Sequence, residues 1–266
     1  MSLALMCPGS RYPFDTAGKK AAKRSISKLR RAQQNKAQIR QGIMVDTEGC
    51  LLYKGDRSVC MMKETTTLKE RIIEESLKLF SVKGYASTST TNIIEAVGTS
   101  KGGFYNHFKS KEQLFRDMLS TARKIWRERN LYKLEEESRP LLKIQKLLEN
   151  YRDRYLADSK NFPGGCIFVN LAVELSDQAP ELAKEVNTGF IRLGKMIRRL
   201  LDEEKKTGGI GGNVNTEDVS NMIFSGLLGA CVLYTSDKSK KRLRSTIASL
   251  ISYLQGFDLK GQDSVS

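Results

Sequence analysis

The residues whose types and spacing could do chemistry are concentrated in the run Lys101-Gly102-Gly103-Phe104-Tyr105-Asn106-His107-Phe108, which follows a Gly98-Thr99-Ser100 turn. A cation, two small residues, a phenol and an imidazole, preceded by two hydroxyls, suit contact with a polyanionic duplex. Hydroxyls and helix N-termini hold phosphates, and small residues let the backbone approach DNA closely. Two adjacent glycines in a helix cost about 1 kcal/mol each relative to alanine. A close approach to DNA accounts for that penalty; a loose turn is the plainer account. Enzyme chemistry is not assembled in the same way. His107 is the only histidine, no nucleophile–base pair presents itself, and Cys7, Cys50, Cys60, Cys166 and Cys231 form no CxxC pair. No catalytic residue and no metal site are expected. Gly208–Gly212 lacks the lysine and strand of a phosphate-cradling loop, and no cofactor is expected.

The elements that must position this run are helical. Leu68, Ile72, Ile73, Leu77 and Phe80 recur at three- and four-residue spacing, an amphipathic helix ending at Gly84. Thr88 or Ser89 caps a short second helix with Ile93, Ile94 and Val97, which stops at Gly98. Ser100 caps a third with Phe104, Tyr105 and Phe108, and Ser110 a fourth with Leu114, Phe115, Met118 and Leu119. Two short helices about a turn, braced by a longer one, make a helix-turn-helix whose second helix fits a major groove about 12 Å wide. Five longer helices follow, over Pro140–Ser159, Cys166–Leu175, Pro180–Lys206, Thr216–Tyr234 and Lys238–Leu254. Pro140 and Pro180 suit the first turn of a helix, where the missing N–H costs nothing. No hairpin signal and no alternating strand stands out. The expected fold class is all-α: a three-helix N-terminal helix-turn-helix domain followed by a larger helical domain.

Net charge is +15, which favours a polyanionic partner. Its distribution qualifies that. Residues 1–62 hold twelve basic and four acidic side chains, a surplus of eight, so the remaining 204 residues carry about half of the excess. The first segment reads as disordered or as a marginal basic helix. It is either sequence upstream of a natural start at Met61-Met62 or an arm that adds phosphate contacts. In the second case the chain could instead be a non-specific nucleic-acid binder using that arm. No uninterrupted apolar run approaches the roughly 18 residues needed to span a bilayer, and Met1–Met6 lacks the basic flank of an export signal. A cytoplasmic, reducing compartment with free thiols and no membrane partner is expected.

The stretch GYASTSTTNIIEAVGTSKGGFYNHFKSKEQLF (Gly84–Phe115) resembles the N-terminal signature of the tetracycline-repressor (TetR) family. That signature reads Gly-aromatic, Thr-Ser/Thr, an Ile-rich helix, Gly-x-Ser-Lys-Gly, aromatic-Tyr-x-His-Phe and Ser-Lys-Glu. The resemblance implies a homodimeric transcriptional regulator, expected to be a repressor that binds a palindromic double-stranded operator and is released by a small-molecule effector. It implies a helix-turn-helix domain over 63–113, an effector-binding and dimerisation domain over 114–258, and a tail over 259–266. Carried over, it aims Lys101, Gly102, Gly103 and Tyr105 at base edges or nearby backbone. Thr88, Ser89, Thr99, Ser100, His107 and Lys111 would hold phosphates, with Thr88 and Ser100 also serving as caps. Met222, Ile223, Gly226, Leu227, Gly229, Ala230 and Leu233, with Ile247, Leu250, Ile251 and Leu254, would pair two protomers; ordinary core is the competing reading. The segment Phe162–Leu171 is similar to an element in a subset of the family that senses electrophiles. Cys166 at a helix N-terminus is then either a sensor thiol or a buried packing cysteine. Trp126, Tyr151, Tyr155, Phe168 and Phe190 are either helical core or the walls of an apolar effector site.

Overall fold

The computed structural model describes residues 66–262, together with the backbone at Met44–Val45 and Leu51–Leu52. The expectation for residues 1–62 otherwise lies outside the described residues. Four residues of that segment are paired. Met44 lies opposite Leu52 and Val45 opposite Leu51 in a two-residue antiparallel ladder, β1–β2, where no hairpin was expected. In the sequence, two apolar runs flank a polar stretch containing Gly49, a weaker turn signal than the Asn-Gly type. The chain divides into two units between Thr65 and Thr66.

The unit from Thr66 onward is helical. α1 spans Leu68–Lys83. Thr67 caps it by accepting the Glu70 N–H, and the Glu70 carboxylate accepts the Thr67 N–H at 2.8 Å, a reciprocal capping box. Gly84 ends the helix at φ 80°, a conformation that side chains disfavour. α2 spans Thr90–Val97 and α3 Lys101–Tyr105. α4 spans Lys111–Asn130, long enough at 1.5 Å per residue to reach roughly 30 Å. Ile72, Phe80, Ile93, Phe104, Phe108 and Phe115 are fully buried and unite α1 to α4 in one core.

α5 spans Pro140–Asn150 and passes into a π-helical turn, Tyr151–Tyr155, in which the Leu156 N–H reaches back to the Tyr151 carbonyl at 2.9 Å. The regular helix expected to Ser159 is thus widened at Tyr151, and Tyr151 and Tyr155 both stay buried. α6 spans Ile167–Gln178, α7 Pro180–Lys206, α8 Thr216–Asp237, α9 Lys240–Gln255 and α10 Leu259–Gln262. α8 packs between α7 and α9, and α6 packs on both α1 and α7.

The two stripes expected to pair protomers divide. Ile223, Leu227, Ala230, Ile247 and Leu254 are buried within the chain itself. A Cβ at Gly226 would lie 2.5 Å from Leu250 Cδ2, so that glycine lets α8 approach α9 in the same chain. Met222 and Leu233 remain exposed, joined by Val232 and Tyr253. α8 is long and apolar enough by composition to cross a membrane, with mean hydropathy 1.4. Its apolar side chains are shared between the core and this exposed strip.

Candidate functional site

The short helix α3 is held by what it buries. Phe104 and Phe108 have no exposed surface, and their rings meet at a centroid separation of 5.9 Å. Burying these two large aromatics, one from the helix and one from the turn after it, contributes several kcal/mol, which fixes a helix too short to be stable alone. With those rings inward, Lys101, Tyr105 and His107 face solvent. Tyr105 is 44% exposed, and its ring meets Phe104 edge-on at 5.2 Å. α3 ends at Tyr105, so His107 lies in the turn beyond it rather than in the helix.

The hydroxyls sort by their partners. Ser89 caps α2 by accepting the Asn92 N–H at 3.1 Å, and Ser100 caps α3 by accepting the Gly103 N–H at 3.0 Å. An accepting serine keeps its own O–H proton to donate to a phosphate. Thr88 does not belong with them. It is fully buried, its hydroxyl donates to the Gly84 carbonyl at 2.7 Å, and the cap of α2 is Ser89. Lys111 is also engaged within the chain. Its Nζ lies 4.1 Å from the centre of the Tyr85 ring, and burial draws its pKa below the ordinary lysine value, against the pull of Glu174. The two glycines of α3 differ. A Cβ on Gly103 would meet Thr99 Oγ1 at 2.5 Å, whereas one on Gly102 would have only Ser100 Oγ nearby, at 3.8 Å. The fold therefore accounts for Gly103 and leaves Gly102 without an internal reason.

This headpiece is tied to the larger helical part at three places. On α6, Glu174 accepts the Tyr85 and Ala86 N–H groups at 2.8 and 2.7 Å. Ahead of α6, the Gly164 N–H donates to Ser81 Oγ at 2.9 Å, and a Cβ at Gly164 would collide with the Ser81 carbonyl. On α4, Arg116 pairs with Glu185 of α7 at 2.8 Å. α4 itself runs on from the headpiece core at Leu114 and Phe115 to Trp126.

Trp126 opens onto a cavity of about 230 Å3 bordered by α4, the π-helical turn, α6, α7 and α8 and partly open to solvent. Tyr151, Cys166, Phe168 and Phe190 line it with Trp126. Five of the six residues singled out from the sequence are thereby brought together. Tyr155 stands behind the wall, its hydroxyl donating to Cys166 Sγ at 3.6 Å. The Trp126 indole N–H donates to the Tyr151 hydroxyl at 2.8 Å, and burial pushes the Tyr151 phenol well above its usual pKa. Aliphatic groups of Leu131, Val186, Leu193, Met196 and Leu228 complete the apolar lining. Arg123, Arg127 and Arg192 stand at its edge, a cluster the sequence reading missed. The Arg123/Arg127 spacing of four was visible on one helix face, but Arg192 comes from α7.

Cys166 precedes α6 and is buried. Hydrogen bonding with the Cys231 thiol, opposed by burial, and further donation from the Val169 N–H, Tyr155 hydroxyl and Phe168 N–H hold its pKa below the ordinary thiol value. The same pairing and burial push Cys231 well above it. Cys231 was not foreseen, because 65 positions separate it from Cys166 and no local pattern joins them. Both thiols are free. Among the described residues, no group of His, Cys, Asp and Glu could hold a metal ion.

Comparison with known proteins identifies the fold's relatives. Residues 72–118 match the family model for bacterial regulatory proteins of the tetR family, and residues 140–256 match that for the tetracyclin repressor-like C-terminal domain. The HTH-type transcriptional repressor DhaR of Mycobacterium sp. (strain GP1) is 25% identical over 179 residues, covering 67% of this chain and 87% of DhaR. A TetR transcriptional regulator from Chloroflexus aurantiacus superposes with a TM-score of 0.65 at 29% identity, covering 71% of this chain and 94% of that one. A cysteine-substituted form of the TetR-family regulator CifR, in complex with 26 bp double-strand operator DNA, superposes with a TM-score of 0.59 at 19% identity, covering 68% and 94%.

Proposed function

Because the chain belongs to the TetR family of bacterial regulatory proteins, and so is a DNA-binding transcriptional regulator rather than an enzyme, we propose that it is a cytoplasmic homodimeric repressor released from a palindromic operator by a small-molecule effector. The observation that carries this reading is the outward face of α3 and the turn after it. Lys101, Gly102 and Tyr105 project from a helix anchored through Phe104, and His107 from the following turn, which Phe108 anchors. Lys101 and Tyr105 reach base edges or the adjacent backbone, Gly102 admits a close approach, and Ser89, Ser100 and His107 hold phosphates. Thr99, half-buried against Gly103, contributes at the margin. The exposed strip of Met222, Val232, Leu233 and Tyr253 pairs with its copy about a two-fold axis. That pairing sets two α3 helices about 34–36 Å apart, one turn of B-DNA.

The cavity beside Trp126 is the effector site. A ligand there releases DNA only by binding the spread arrangement of headpieces more tightly than the DNA-bound one. α4 and α6 both run from cavity to headpiece, so either transmits the shift. Footprinting on DNA upstream of the protein's own gene and its neighbours tests the reading, with protection of a palindrome as the expected result. Removing residues 1–60 is expected to leave that footprint in place and reduce the salt dependence. A footprint lost on truncation, or uniform protection with a steep salt slope, would instead favour a non-specific binder using its basic arm.

A further inference from the structure

The lining of the cavity is mostly apolar, and its charged residues carry one sign. These are Arg123, Arg127 and Arg192, and no carboxylate is among the lining residues. Glu185 lies outside that lining. Its carboxylate pairs with Arg116, while Arg123 hydrogen-bonds its backbone carbonyl and feels the carboxylate's charge without pairing with it. Among the described residues, Arg127 and Arg192 pair with no carboxylate. Burial draws the Arg123 pKa below the ordinary arginine value; the charge of Glu185 opposes this, and Arg192 and Arg127 add to it. Three guanidinium groups beside an apolar space, two of them paired with no carboxylate and the third facing one already committed to Arg116, form a receptor for an anion whose body is apolar.

We infer that the cavity binds an amphipathic carboxylate, with a small aromatic or aliphatic body among Trp126, Phe168 and Phe190 and its carboxylate at the arginine edge. This rests on the reading of the cavity as the effector site. The size constrains the body: benzene fills an engineered cavity of about 150 Å3, so 230 Å3 suits a single ring with a short chain. Guanidinium forks match carboxylate geometry in pairs, which favours a carboxylate over a bare apolar molecule.

Trp126 is the only tryptophan, so its fluorescence reports occupancy without DNA. Three probes of one shape isolate the charge: 3-phenylpropionate, 3-phenylpropionamide and 3-phenylpropylammonium, titrated into the full-length protein. The carboxylate is expected to bind at least about tenfold more tightly than the amide, and the ammonium more weakly still. Arg127→Ala combined with Arg192→Ala, both at exposed positions, is expected to erase the difference between carboxylate and amide, and the paired Lys variant to restore part of it. Equal or tighter binding of the amide or the ammonium overturns the inference, as does the absence of binding by all three up to roughly 10 mM. Release from operator DNA is followed in parallel. Binding of the carboxylate without DNA release would leave the site standing and sink its role as effector site. DNA release by the neutral or cationic probe would do the reverse.

Discussion

The Glu174 carboxylate on α6 accepts the Tyr85 N–H at 2.8 Å and, through its other oxygen, the Ala86 N–H at 2.7 Å. One side chain thus holds the turn between α1 and α2 from a helix whose first residues line the cavity. From Phe168 to Glu174 is about 9 Å along the axis. Gly84 fits because it has no side chain, since a Cβ there would lie 2.5 Å from Glu174 Oε2.

Replacing Glu174 by Ala leaves two N–H groups without their partner, at a cost of about 1–3 kcal/mol each where water cannot reach them. The folded state is expected to survive, and operator affinity to fall at least about fivefold because the α1–α2 turn loses its fixed orientation. Anisotropy titration with labelled operator measures this. An unchanged Kd would sever the link drawn between α6 and the headpiece.

The two glycines of α3 separate folding from recognition. Gly102→Ala is expected to keep or raise the melting temperature, since alanine favours helix by about 1 kcal/mol, and yet to weaken operator binding. Gly103→Ala, which presses on Thr99, is expected to lower both. Tyr105→Ala is expected to reduce operator binding by about 1–3 kcal/mol or more with little loss of stability. Thermal melts and gel shifts on the three variants check the set, and Gly102→Ala with full operator affinity would move the interface elsewhere.

Cys166 is expected to react with iodoacetamide ahead of Cys231. Its thiolate, held down first by the Cys231 hydrogen bond, forms at a lower pH than an ordinary thiol near 8.5. The midpoint of its alkylation rate against pH therefore lies below that value. Cys231→Ala is expected to raise it, as is Tyr155→Phe by a smaller amount. Peptide mass spectrometry at timed quenches tracks both sites; a midpoint at or above the ordinary value would return Cys166 to the role of packing residue.

At the far end of the molecule, Arg139 donates to Glu204 at 2.6 Å and to Asp258 at 2.7 Å, and Glu204 is fully buried. Arg139→Ala strands that buried carboxylate, so unfolding free energy is expected to fall by about 3–5 kcal/mol. The Arg139 hydrogen bond holds the Asp258 pKa below its unfolded value. Its stabilising contribution is therefore complete above the ordinary carboxylate range near 4 and disappears as pH falls through the lowered folded value. Chemical denaturation at pH 7 and pH 3 measures both effects. A variant as stable as the parent at pH 7 would refute the pairing.

Much of the headpiece was legible because its signals are local. Caps at Ser100 and Ser110, stops at Gly84 and Gly98, and the apolar spacing from Leu68 to Phe80 each act within a few residues. α7 was readable end to end because Pro180 opens it and Gly208 lies just past its close. What was misread depends on contacts distant in sequence. Thr88 was expected to cap a helix and hold a phosphate, but the turn after Gly84 closes over it. Leu250 and Gly226 looked like a surface between protomers because periodicity shows that a face is apolar without showing what covers it. Cys231 and Arg192 gain their meaning only once α6, α7 and α8 are packed together.

The π-helical turn at Tyr151 has a consequence for how such a cavity diversifies. It holds one residue more than an α-helical turn, so loss of a single codon there would restore regular winding, remove one side chain from the Tyr151–Tyr155 turn and leave the residues beyond it facing nearly as before. The irregular stretch before Cys166 can absorb the change, while α1 to α4 lie upstream and keep their register. A one-residue deletion would thus change how Tyr151 and its backing residue Tyr155 shape the cavity in a single evolutionary step, without altering α1 to α4.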